Sequence, residues 1–231
     1  MRVQIHKERA YLRNALFAIE LIDPVTLSRI SQGIKVVAEG LRGKPFINAS
    51  GMFVWLKEDR SALKKISIAS TTLPYQDVEV PVEELQLPPP DPLSPPPLTT
   101  IGLPPRADYP FPAGITGVRG TLIEERVAPP SPPIPVKGAE VSLRWLDEDG
   151  VTWRNSPIRS RTDDNGDFVS ILRLAPTEVP GLDAIGTLMV RLRARRDGTD
   201  RQSADVKILQ GRITDPSTMS ALTFAWDELQ P

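Results

Sequence analysis

Asp163-Asp164-Asn165-Gly166-Asp167 surrounds a glycine with oxygen-bearing side chains, a composition that invites calcium. An EF-hand loop needs acidic oxygens at alternate positions, glycine at the sixth and glutamate at the twelfth. Glu178 does not fall at that spacing. Asp and Asn also close hairpins through neighbouring backbone amides, and a turn is the favoured reading. His6 is the single histidine and cysteine is absent, so a zinc site of ordinary type and a Ser-His-Asp triad both lack their parts. Glycoside hydrolysis needs two carboxylates across a cleft. The paired acids Glu83-Glu84, Glu124-Glu125 and Asp147/Asp149 carry no spacing that would place them so, and they read as solvated faces or turns. The densest basic stretch is Arg191, Arg193, Arg195 and Arg196, with Arg201 beyond Gly198. On a strand, Arg191 and Arg193 share the face opposite Val190 and Leu192. That face is either a small positive patch for carboxylates or phosphate, or the wet side of a half-buried sheet. No catalytic, cofactor-binding or metal-binding residue is assigned.

The elements that would position these residues are strands. Apolar residues make up 40% of the 231 and charged residues 25%, enough for two modest cores of about 80 to 100 residues each. The formal net charge of -1 supplies no long-range attraction to nucleic acid or an anionic membrane. The segment Met1-Arg2-Val3-Gln4-Ile5-His6 has no apolar run of signal-peptide type, and no segment approaches the roughly 18 apolar residues of a membrane span. Synthesis in the cytoplasm without a signal peptide is expected.

Short runs of period two, punctuated by turn residues about every ten positions, predict an all-β chain. In the first half these are Asn14–Ile22, stopped by Asp23-Pro24, then Ile34–Glu39, Met52–Leu56, and Ile66 onward. Val78, Val80 and Val82 fall on one face of a further run. Eleven prolines lie between Leu85 and Pro112, including Pro88-Pro89-Pro90 and Pro95-Pro96-Pro97. Each removes an amide donor and fixes φ, which predicts a stiff extended connector. The second half continues with Ile115–Ile123, a proline-rich loop at 129–135, Val141–Leu146, a tight turn at Asp149-Gly150, Phe168–Leu174, Leu188–Ala194 and an edge at Val206–Ile208. In the tail, Met219, Leu222, Trp226 and Leu229 suit a helix beginning at Asp215-Pro216, while Leu222, Phe224 and Trp226 suit a last strand.

Gly138-Ala139-Glu140-Val141 followed by Thr162, Asp163, Gly166 and Phe168 resembles the carboxypeptidase regulatory-like and transthyretin-like family of seven-stranded β-sandwiches. The first half matches more thinly, through Gly33, Val36, Ser50, Gly51 and Phe53, with Asn48-Ala49 where the family has Thr-Asp. The resemblance implies an immunoglobulin-like or transthyretin-like sandwich and a non-catalytic accessory role. Glu20–Thr26 through Gly51-Met52-Phe53-Val54-Trp55 is also similar to small accessory proteins encoded with contractile phage tails and related injection particles.

The expected organisation is an N-terminal sandwich at 1–84, a proline-rich connector at 85–112, a C-terminal sandwich at 113–214 and a tail at 215–231. The expected function is that of a structural adaptor within a large protein assembly, a phage tail or injection particle being the specific setting. Its partners would be protein subunits, without nucleic acid, membrane insertion or a cofactor. Candidate contacts are Pro88, Pro89, Pro90, Pro95, Pro96, Pro97, Arg191, Arg193, Met219, Leu222 and Trp226. The alternative is a carbohydrate- or peptide-binding accessory module, for which an exposed platform of Trp153 and Trp145 would be the mark.

Overall fold

The computed structural model describes residues 15–56, 60–85, 87, 98–126, 131–215 and 222–231. All regular structure among them is β-strand or single 3-10 turns. The chain forms two compact units. The first takes in residues up to Ile22, Arg29–Thr71 and Asp77–Ile101; the second takes Asp23–Ser28, Thr72–Gln76 and Gly102–Pro231.

The first unit contains β1 (Ala15–Ile22), β2 (Ile34–Glu39), β3 (Phe46–Ile47), β4 (Phe53–Leu56), β5 (Lys65–Ser70), β6 (Val78–Pro81) and β7 (Leu98–Gly102). One sheet runs β3-β4-β1-β7 and the other β2-β5-β6. β1 and β4 pair antiparallel with Phe17 opposite Trp55, whose rings stack at 4.6 Å. Both side chains are fully buried, as are Ile19, Leu21 and Ile66. Burying each such side chain contributes about 1.5–3 kcal/mol.

Two expectations for this half are corrected. Val82 does not extend the face of Val78 and Val80, because β6 ends at Pro81 and a 3-10 turn takes Val82–Glu84. Proline has no N–H to continue a ladder. Residues 98–102 do not belong to a connector: Leu98-Thr99-Thr100-Ile101-Gly102 is β7, beside β1, with Thr99 and Ile101 buried and their neighbours exposed. Beyond the last proline of the run, alternation and β-branching reassert themselves. Pro88–Pro90 and Pro95–Pro97 lie outside the described residues.

The second unit contains β8 (Thr116–Ile123), β9 (Glu140–Leu146), β10 (Trp153–Arg161), β11 (Asp167–Leu172), β12 (Thr187–Arg196), β13 (Thr199–Gln202), β14 (Val206–Leu209), β15 (Ile213–Thr214) and β16 (Thr223–Ala225). One sheet runs β10-β9-β12-β13, with β14 also on β12; the other runs β11-β8-β15, with β16 also on β8. Val141, Leu143, Trp145, Leu188, Val190, Leu192 and Phe168 form the centre of a continuous core between them. At the margin of the second sheet, the carbonyls of Val169 and Ile171 on β11 accept from the hydroxyls of Ser160 and Ser156 on β10, so side chains satisfy groups that no strand pairs.

The Gly138-Ala139 and Thr162 motifs meet. Gly138 N–H donates to the Thr162 carbonyl at 3.0 Å, Thr162 N–H to the Ala139 carbonyl at 2.9 Å, and Ala139 N–H to the Thr162 hydroxyl at 2.9 Å. Asp163 then closes the hairpin, its Oδ1 accepting from Asn165 and Asp167 N–H at 2.8 and 2.9 Å. Gly166 sits there at φ 78°, and a Cβ on it would collide with the Leu122 carbonyl, so the turn requires glycine twice over.

In the described part of the tail, residues 222–231, Thr223–Ala225 is a strand, so the helix expected through Leu222, Trp226 and Leu229 is corrected there. β16 pairs parallel with β8, Thr223 opposite Thr121, and is followed by a 3-10 turn at Trp226–Glu228. The approach is close at Gly120, where a Cβ would lie 2.6 Å from the Leu222 carbonyl and 2.9 Å from the Phe168 ring. Leu222, Phe224 and Trp226 are buried, and Met219 lies outside the described residues.

Asp23 links the three stretches of chain that build the second unit. Its carboxylate is buried, and accepts from the Tyr109 hydroxyl at 2.6 Å, the Thr26 hydroxyl at 2.8 Å and Val25 N–H at 2.8 Å. Tyr75 packs against Tyr109 at 5.7 Å. Burial first, then the charge of Asp23, pushes the Tyr75 phenol up to about 12. Tyr109 moves the same way, through burial and then its hydrogen bond to Asp23. An unfolded tyrosine loses its proton near about pH 10, so above that pH the unfolded chain binds fewer protons than the folded one and stability falls. The Tyr75 contribution is intact below about pH 10 and is lost as pH rises toward about 12. Thermal melts across that window should show a shallower decline for Tyr75→Phe than for wild type. Parallel declines would contradict the buried phenol.

Candidate binding face of the second unit

Alternation along β9 and β12 decides which side chains face outward. Val141, Leu143 and Trp145 on β9 and Val190, Leu192 and Ala194 on β12 are buried, leaving Ser142, Arg144, Arg191, Arg193 and Arg195 on the other side. The antiparallel register sets Arg144 opposite Arg191 and Ser142 opposite Arg193. On the flanking strands Asn155 stands opposite Arg144, and Gln202 opposite Arg193. Of these, Arg144, Arg193, Asn155 and Gln202 line an open cavity of about 340 Å³ together with Asp200, Arg201 and Pro231.

The arginines are not equivalent. Arg191 is ion-paired with Asp205 at 2.6 Å and lies over the Trp153 ring at 4.0 Å. Arg193 pairs with Asp200 at 3.1 Å. Arg144 donates through one terminal nitrogen to Gln202 Oε1 at 3.1 Å, and has no carboxylate partner among the described residues. Its Nε is buried and has no hydrogen-bond acceptor. A desolvated N–H left unpaired costs about 1–3 kcal/mol, and like charges directly opposite on adjacent strands are themselves unfavourable.

Arg191 and Arg193 therefore share the expected face, but their own carboxylates hold them. Arg144, Asn155 and Gln202 join them only through cross-strand register; the outward position of Arg144 was readable from the Val141, Leu143, Trp145 alternation. Leu222 and Trp226 do not lie on this face, since both are buried in the core of the unit. The guanidinium groups of Arg196 and Arg201 lie 4.7 and 5.1 Å from the Trp226 ring centre. The exposed platform of Trp153 and Trp145 does not form, because Trp145 is fully buried in the core.

The other chemistry-bearing residues have structural work. Asp147 pairs with Arg154, and Glu124 with Arg196. The Asp149 carboxylate accepts from Val151 and Thr152 N–H at 2.8 and 2.7 Å, closing the turn at Gly150. The Thr152 hydroxyl, then these backbone donors, hold its carboxyl below the usual range, opposite to what a general acid requires. Among the described residues no group of three or more His, Cys, Asp or Glu side chains is placed to hold a metal ion.

No family model matches the chain, and no curated protein does. Two solved structures align over most of its length. One is a double mutant of the shaft pilin SpaA from Lactobacillus rhamnosus GG, 10% identical, with 87% of this chain and 96% of that chain covered and a TM-score of 0.23. The other is a DUF3823 family protein from Bacteroides ovatus, 10% identical, with 85% and 99% covered and a TM-score of 0.23. Both likenesses are generic, and neither bears on what the chain does. The β-sandwich character stands on the strand pairings themselves.

Proposed function

We propose that the chain is a non-enzymatic structural adaptor in a large protein assembly, with a contractile phage tail or injection particle as the specific setting. The observation that carries this reading is an edge of the first unit that is unpaired among the described residues. β3 ends its sheet, and its two residues, Phe46 and Ile47, are 46% and 50% exposed. A sheet edge offers unpaired backbone donors and acceptors, and apolar side chains beside it add area to a docked strand. The occupant is thus an extended segment of a protein subunit. The family resemblance at Gly138–Val141 and Thr162–Phe168 supports an accessory rather than catalytic role, and the proline-rich residues before β7 would set spacing between docked partners. Assembly into a virion or similar particle after cytoplasmic synthesis belongs to the same proposal.

Replacing Ile47 by lysine tests it. A surface substitution of this kind changes stability within about 0.5 kcal/mol, while a charge on the edge opposes strand addition. The variant is expected to melt like wild type and to lose the stoichiometric protein subunits that wild type carries when purified from its source. Retention of those subunits by Ile47→Lys would remove β3 as the docking edge.

A further inference from the structure

We propose that the cavity at Arg144 receives a carboxylate from an acidic segment of a protein partner; the adaptor reading is needed only to say whose carboxylate it is. Three features point there. The Arg144 Nε is buried without an acceptor, although the guanidinium's other edge is held in place by Gln202. Nε with the neighbouring terminal nitrogen is the guanidinium edge from which carboxylates accept in bidentate fashion, and on Arg144 that Nε has no acceptor. Arg144 also faces Arg191 directly across the strands, and Arg193 lines the same cavity, while Asp200 and Asp205 are already engaged by Arg193 and Arg191. An incoming negative charge relieves that juxtaposition. Finally, the amides of Asn155 and Gln202 flank the site and offer neutral hydrogen bonds that suit one monoanion without demanding a second.

The source of the anion follows from charge. With a net charge of -1 the chain has no field to gather a polyphosphate backbone. Arg144, Arg193 and Arg201 gather in one cavity on a sheet face, which fits acidic side chains presented by a docking protein.

This arrangement makes Arg144 costly to the free chain and useful to the bound one. Arg144→Gln should leave the melting temperature unchanged or raise it by up to about 3 °C, because an unpaired guanidinium opposite Arg191 is removed. The same variant should bind a hexaglutamate peptide about tenfold more weakly than wild type. Arginine Nε–H signals, followed by nitrogen–proton correlation NMR on the full chain, provide the readout. The signal missing from Arg144→Gln should shift and saturate with hexaglutamate, and not with hexaglutamine.

Saturation of that signal by inorganic phosphate at equal or lower concentration would overturn the carboxylate assignment. Unchanged hexaglutamate binding by Arg144→Gln would overturn the site, and a fall of several degrees in its melting temperature would show a structural arginine instead. Failure of the adaptor reading looks different: hexaglutamate would still shift the Arg144 signal, but no subunit would accompany wild-type chain from its source. That result overturns the partner named here.

Discussion

Asp23→Ala is expected to destabilise the second unit by about 3–5 kcal/mol, a loss of the order of 10 °C in its melting temperature. The size of the effect comes from the buried groups that depend on one carboxylate, the Tyr109 hydroxyl and Val25 N–H. The Tyr109 hydroxyl, the Thr26 hydroxyl and Val25 N–H all donate to it, and alanine leaves the two buried donors, Tyr109 and Val25, without their acceptor; the exposed Thr26 hydroxyl keeps Ser28 Oγ at 2.7 Å. Hydrogen bonds to a charged group are worth about 1.5–3 kcal/mol, and an unsatisfied buried donor costs about as much again as an ordinary one contributes. Asp23→Asn keeps an acceptor oxygen and should lose roughly half as much. Calorimetric melts of the two variants decide the matter. Equal, negligible losses would mean that Asp23 does not tie residues 23–28 and 102–231 into one unit.

Trp226→Ala is the second large effect, about 3–5 kcal/mol, as for other buried aromatic side chains cut back to alanine. Trp226 is 8% exposed in the core of the second unit, its ring packs against the guanidinium groups of Arg196 and Arg201, and its carbonyl accepts from Arg201 at 2.7 Å. Removing the indole forfeits its buried area and both cation–π contacts. A partner anchor would behave in the opposite way, with an unchanged melt and lost binding. A melt for Trp226→Ala that overlays wild type would return the indole to the list of partner contacts.

Local punctuation made several elements readable. β1 stops where Asp23-Pro24 forbids a central ladder, and β2 runs over the expected Ile34–Glu39 before Gly40. The turns at Asp149-Gly150 and Asp163–Gly166 follow from the habit of Asp side chains to accept from amides two residues on. β7 was hidden because the prolines before it dominate the composition of the stretch, masking five residues with ordinary strand alternation. The tail carried two periods at once: Leu222 and Trp226 suit a helix, while Leu222, Phe224 and Trp226 suit a strand. The unpaired flank of β8 settled it, since a strand gains ladder hydrogen bonds there that a helix cannot make.

The candidate site was less legible, for a physical reason. Arg191 and Arg193 stood out as neighbours in sequence, yet the arginine of this face whose Nε is buried without an acceptor is Arg144, forty-seven residues before Arg191 and opposite it only through register. Cross-strand register depends on long-range pairing of the whole sheet. The Asp23 cluster is likewise invisible locally, since Asp23, Tyr75 and Tyr109 come from three separate stretches of the chain.

The most direct measurement is the mass, by light scattering after size exclusion, of the chain purified from its own source, with wild type beside Ile47→Lys. An adaptor predicts a wild-type particle far heavier than the 25.5 kDa chain, containing repeating protein subunits in fixed ratio, and a folded variant that has lost them. A wild-type chain that elutes at 25.5 kDa with no protein in fixed ratio would contradict the adaptor function.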